Sequence, residues 1–173
     1  MPNDEGIAKA MNYFQEEMGD SVSVEIVEFS SGKDVNTALA AGSIDFGLEG
    51  SCPASLAIAQ DLGVELIWIH EVLGDVESLV ATGTSGINTV ADLKGKKVAV
   101  PFASTAHFSL LKAMENAGLS ASDVTVLDMQ PDKIYASWNS GDIDAAYIWE
   151  PTLSQLSNKK TVITSGELAK PDI

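Results

Sequence analysis

Arginine is missing from this chain: the ten basic residues are all lysine. Bidentate guanidinium recognition of a carboxylate, phosphate or sulfonate is therefore excluded, and an anion must be held by backbone N–H groups, hydroxyls, His or Lys. The single cysteine, Cys52, excludes an intrachain disulfide and a multi-cysteine metal site. No apolar run reaches membrane-spanning length, and the polar, acidic start M-P-N-D-E does not look like a signal peptide. H-E-x-x-H, phosphate-binding P-loop, G-x-G-x-x-G and C-x-x-C patterns are all absent. With 25 acidic residues and a net charge of −15, nucleic acid and anionic membrane surfaces are poor partners.

What remains is a chain of 173 residues, 45% hydrophobic, long enough for one large domain or two small lobes with their own cores. Apolar spacing predicts a helix over 6–18 stopped by Gly19, then a strand over 22–29. Helices over 34–41 and 54–61 alternate with strands over 44–48 and 64–72. Further on, strands are predicted at 76–82, 98–100, 124–128, 143–148 and 161–163. Helices are expected at 88–93, from Ala106 or His107 to Ala117, at 132–139, and from Glu150-Pro151 to about Ser157. Alternation of this kind indicates an α/β protein with parallel-type sheets flanked by helices.

The chain also repeats itself. V-N-T-A-L-A-A-G-S-I-D at 35–45 aligns with I-Y-A-S-W-N-S-G-D-I-D at 134–144, and each copy runs through an apolar strand to a turn holding Pro53 or Pro151. The preceding helices, ending Met18-Gly19 and Ala117-Gly118, match as well. Such a repeat implies two lobes, residues 1–75 and 76–173, with loops at the carboxyl ends of the strands, where open α/β sheets bind ligands. Residues 50–53 would face residues 104–107 and 149–151 across a cleft, with the crossing between lobes near 74–77.

The stretch 98–109, V-A-V-P-F-A-S-T-A-H-F-S, is a short buried strand, a proline stop, a hydroxyl-rich turn and a helix start. Unpaired N–H groups beside the Ser104 and Thr105 hydroxyls suit an anion, although the same hydroxyls also serve as ordinary helix caps. His107, in the first helical turn, is expected to be neutral. Trp149, at the end of a buried strand, is either core or cleft wall. Glu150 is either a helix-start carboxylate or a ligand contact, and Glu77 lies where the lobes cross. Trp68, Trp138 and His70 are expected to be packing residues, and Asp45 and Asp144 to share a structural role at their strand starts. Cys52, at a helix start, invites a nucleophile reading, but a Cys–His pair would need His107 to reach across the cleft.

Three segments together resemble one family. They are G-S-I-D-F-G-L-E-G-S-C-P-A at 42–54, L-K-G-K-K-V-A-V-P-F-A-S-T-A-H-F-S at 93–109, and W-N-S-G-D-I-D-A-A-Y-I-W-E-P at 138–151. The family is the extracytoplasmic solute-binding proteins of ABC importers, in the branch for taurine, alkanesulfonates and nitrate. The resemblance implies a two-lobe, periplasmic-binding-protein-like (type II) α/β fold that closes on a small anionic or zwitterionic solute. It also implies delivery to a membrane permease, an extracytoplasmic or periplasmic location, and neither a cofactor nor a catalytic role.

Carried over by residue, Gly50, Ser51 and Cys52 form a lobe-one ligand loop, with Cys52 where relatives often have Ser. Ser104, Thr105 and His107 match the lobe-two anion loop, Trp149 an aromatic beside the ligand, and Glu150 a variable position able to meet an ammonium, as could Glu77. Against such relatives lobe one lacks its first and return strands. The chain is then a fragment, a truncation, or a half-module that completes its sheet in a domain-swapped dimer. Two further readings remain: an enzyme on the same fold, akin to thiamine-pyrimidine precursor synthases but without their cysteine-rich motif, and a non-transporting remnant.

Overall fold

The computed structural model describes residues 4–72 and 74–170. Residues 1–3, 73 and 171–173, among them the first three residues of the polar start read above against a signal peptide, lie outside the described residues.

The centre is a five-stranded sheet. Its strands are β1 (Glu77–Thr82), β2 (Lys97–Val100), β3 (Thr125–Asp128), β4 (Ala145–Trp149) and β5 (Lys159–Thr164), in the order β3-β2-β4-β1-β5. β2 pairs parallel with β3 and β4, while β1 pairs antiparallel with β4 and β5. Four strands thus share one direction and only β1 opposes them, so the sheet is of the parallel type expected, with one reversed strand. The reversal puts the start of β1 beside the end of β4, with Glu77 in register with Trp149.

Alternation along the strands divides two cores between the faces of this sheet. Leu79, Val98, Val100, Ala145 and Tyr147 pack on one face against α5 (Thr105–Asn116), through Ala106, Leu110 and Met114. Val80, Ala99, Ala146 and Ile148 pack on the other against Ile134 and Trp138 of α6 (Pro131–Ser140) and Leu153 of α7 (Thr152–Gln155). Trp138 is core, as predicted, and its indole N–H donates to the Ser157 carbonyl at 2.8 Å. Asp144 has the structural role expected of it: its carboxylate accepts the Lys97 N–H at 2.8 Å and ties β4 to β2.

The first part of the chain holds α1 (Asp4–Ala10), α2 (Tyr13–Met18), α3 (Gly32–Ala40) and α4 (Ser51–Ala59). The helix predicted over 6–18 is broken in two, because Asn12 takes a left-handed conformation (φ 61°). The segments 22–29, 44–48 and 64–72, predicted as strands, make no ladder among the described residues. A strand is defined by a partner's hydrogen bonds, and alternation of side chains cannot supply the partner. For the same reason Trp68, expected in a core, is 73% exposed, edge-on to His70 with centroids 5.4 Å apart. The helix expected at 88–93 is a short 3-10 turn at Val90–Leu93 closed by a Thr89/Asp92 capping box. A last helix, α8 (Ser165–Leu168), was not anticipated, although T-S-G-E at 164–167 is a capping-box sequence.

Candidate functional site

Two helix starts abut at the carboxyl edge of the sheet. α4 begins after Gly50 and α5 after Ser104, and the two helices pack together. A β-carbon on Gly50 would lie 2.9 Å from Thr105 Cγ2, so only glycine permits this approach. Gly32 is constrained similarly, since a β-carbon there would collide with Pro53, and this holds the start of α3 against the first turn of α4. Among the described residues no acceptor is found for the N–H groups of Ser51, Cys52, Thr105 and Ala106. Their dipoles make the junction favourable to negative charge.

The side chains at this edge are already engaged. Ser104 caps α5: its Oγ accepts the His107 N–H at 3.1 Å and donates to the Pro101 carbonyl at 2.5 Å. Its hydroxyl proton is therefore committed within the turn. Thr105 Oγ1 donates to Glu77 Oε1, and Ser165 Oγ donates to Glu77 Oε2 at 3.2 Å. Ser165 also bonds Tyr147 Oη at 2.9 Å, extending a polar chain beneath the helix starts. Glu77 is only 3% exposed, and burial raises its carboxyl despite the two hydroxyl donors.

His107 stacks flat on Phe102, with centroids 4.3 Å apart and planes 4° from parallel, and its Nδ1 accepts the Ala103 N–H at 3.4 Å. Burial lowers its pKa, only partly opposed by Asp128, so the ring is neutral as expected, with its proton on Nε2. Trp149 is half-buried and touches both cores. Glu150 Oε2 accepts the Ser154 N–H at 2.9 Å, so this carboxylate caps α7. Ser51 is exposed and Cys52 half-buried. The Cys52 thiol is pushed up by burial and then by the Glu77 charge, the opposite of what nucleophilic activation requires.

Gly50, Cys52, Thr105 and Glu77 thus converge, with Trp149 beside Glu77 in the sheet. The sequence reading missed Ser165 and Tyr147, which support Glu77, and also Glu49. Glu49 Oε2 is buried with no hydrogen-bond partner among the described residues, and burial raises this carboxyl to about 7. Its signal was present in the repeat, because Glu49 falls where the second copy has Ile148, a core residue.

A two-sided junction of helix starts at the carboxyl edge of an α/β sheet lies where open α/β folds bind their ligands. Residues 6–169 match the NMT1/THI5-like family model, and the chain belongs to that family. Among its relatives, the taurine-binding periplasmic protein of Escherichia coli is 38% identical over 161 residues, 93% of this chain and 49% of that protein. A putative aliphatic sulfonates-binding protein of Bacillus subtilis is 34% identical over 164 residues, again 93% and 49%. In structure, the alkanesulfonate-binding protein SsuA of Xanthomonas axonopodis pv. citri, bound to MOPS, superposes with a TM-score of 0.83 at 30% identity. That match covers 94% of this chain and 57% of SsuA. The periplasmic aliphatic sulphonate binding protein SsuA of E. coli gives 0.77 at 31% identity, with the same coverage. The chain spans about half the length of the curated relatives it matches.

Proposed function

We propose that this chain is the solute-capturing part of an ABC importer, working outside the cytoplasm and holding a small organosulfonate such as taurine. The observation that carries the reading is the junction of α4 and α5, where two helix starts whose first N–H groups have no acceptor among the described residues pack against each other at Gly50, in a chain without arginine. A sulfonate carries three acceptor oxygens on one centre and is satisfied by such donors without a counter-cation. His107 Nε2–H supplies a further neutral donor, and Trp149 an aromatic wall. Ser104 contributes by fixing the geometry of the α5 start, because its hydroxyl is occupied by the cap. Closure of two lobes, 1–75 and 76–173, around the solute would create the surface that a permease reads. The relatives named for sulfonates and taurine support the solute class. The raised Cys52 thiol supports binding without catalysis.

Isothermal titration of the purified chain with taurine, ethanesulfonate, nitrate and glycine betaine tests this. Saturable binding of a sulfonate, weakened at least about tenfold by Gly50→Val, which drives α4 from α5, is the expected result. A folded chain that binds none of the four overturns the reading.

A further inference from the structure

A binding site for an amino-sulfonate needs an acceptor for the ammonium end, and three carboxylates stand near the junction of α4 and α5. Glu150 is held as the cap of α7. Glu77 is almost wholly buried, with a hydroxyl donor on each oxygen. Glu49 differs from both. It immediately precedes Gly50, its side chain is only partly covered, and its Oε2 has no hydrogen-bond partner among the described residues.

The internal repeat shows how unusual that carboxylate is. At the same 99-residue offset that aligns Val35 with Ile134, Gly47 falls on Ala146 and Glu49 on Ile148. In the second copy, Ala146 and Ile148 lie on the face that packs against Ile134 and Trp138 of α6. In the first copy a β-carbon on Gly47 would meet Val35 and Leu39 of α3, so residue 47 faces its helix in the same way. Two residues on, Glu49 Oε2 lies 3.3 Å from where a β-carbon on Gly32 would stand, at the start of α3, with Pro53 of α4 also against Gly32. An ionisable, partly covered group thus stands where the second copy has a core residue, with its Oε2 beside the start of α3 and near Pro53 of α4. A buried polar group without a partner costs stability, and neither packing nor capping accounts for this one.

We propose that the Glu49 carboxylate accepts the ammonium end of an amino-sulfonate whose sulfonate sits on the α4 and α5 helix starts. Glu49 would then be the residue that distinguishes amino-sulfonates from plain alkanesulfonates. The inference rests on the sulfonate reading above and adds the zwitterion as the preferred solute. Burial raises the Glu49 carboxyl to about 7, and a cation beside it would restore the charged form.

The test compares 2-aminoethanesulfonate with ethanesulfonate by titration calorimetry, in the parent chain and in Glu49→Gln and Glu49→Leu. The leucine variant matches the apolar character of the position, so it separates loss of charge from loss of folding. The parent chain should prefer the amino-sulfonate by at least about tenfold, the size of one charge-assisted hydrogen bond. In both variants the preference should fall to within about twofold, while ethanesulfonate affinity stays within about threefold of the parent's. A preference that survives both substitutions, or collapses in Glu77→Gln alone, overturns the assignment while leaving the sulfonate reading intact. Binding of neither compound by the folded parent chain overturns both.

Discussion

Glu77 and Thr105 show how one buried acid organises the edge of the sheet. Thr105→Val keeps the shape of the side chain and the backbone donors of α5, but removes the proton that Glu77 Oε1 receives. Leaving that oxygen unsatisfied costs about 1–3 kcal/mol, to be read as a lower urea midpoint at unchanged slope. Glu49 gives a pH signature instead. Its carboxyl stands at about 7 in the native chain against 4.5 when exposed, so the native state holds the proton more tightly. That contribution is fully present below 4.5 and is lost as pH rises through 7. Glu49→Gln should therefore raise stability above pH 7, by on the order of 1 kcal/mol once solvent screening of a partly exposed group is allowed for, and make no difference below pH 4. Urea titrations at pH 4 and pH 8 check both limits.

Among the elements, α5 depends on its cap. The Ser104 side chain makes two hydrogen bonds that fix the turn between β2 and the helix. Ser104→Ala should cost about 1 kcal/mol and fray the first turn, with hydrogen exchange accelerated at His107 and Phe108, whose N–H groups bond to Ser104. It should weaken sulfonate binding less than Gly50→Val does, because the donors proposed for the ligand are backbone groups. α8 is held in the same manner: Thr164 accepts the Glu167 N–H at 3.0 Å while Glu167 accepts the Thr164 N–H at 2.9 Å. That box places Ser165 under Glu77, so a four-residue helix remote in sequence buttresses the site.

The whole molecule is unevenly finished. The sheet from β1 to β5 is covered on both faces, whereas Phe46, Leu48, Ile67, Trp68, Ile69 and Val72 stand open to solvent. Exposed apolar surface of this extent favours association of the isolated chain. As a chain on its own, the protein should bind a hydrophobic dye and associate in a concentration-dependent way, seen by sedimentation velocity. Trp68→Lys should reduce both without lowering the urea midpoint of the β1–β5 sheet. Tryptophan emission dominated by a quenchable, red-shifted component would confirm that Trp68, at 73% exposure, is outside any core; an unquenchable spectrum would contradict it.

Read along its length, the sequence determined the class of fold, the positions of α3 to α6 and β1 to β4, and the loops at 50–52 and 104–107. These are local matters: periodicity, a proline at a strand end, a glycine after a helix and a serine before one are expressed wherever the chain goes. The repeat, also legible without coordinates, already aligned Glu49 with a core isoleucine. Only the tertiary structure decided that β1 runs against its neighbours, which set Glu77 beside Trp149 and beneath Thr105. It also decided that Ser165 arrives from the far end of the chain, and that 22–29, 44–48 and 64–72 lack ladder partners among the described residues. Each of these depends on which groups meet across long separations in sequence, and pairing of that kind is a property of the folded whole.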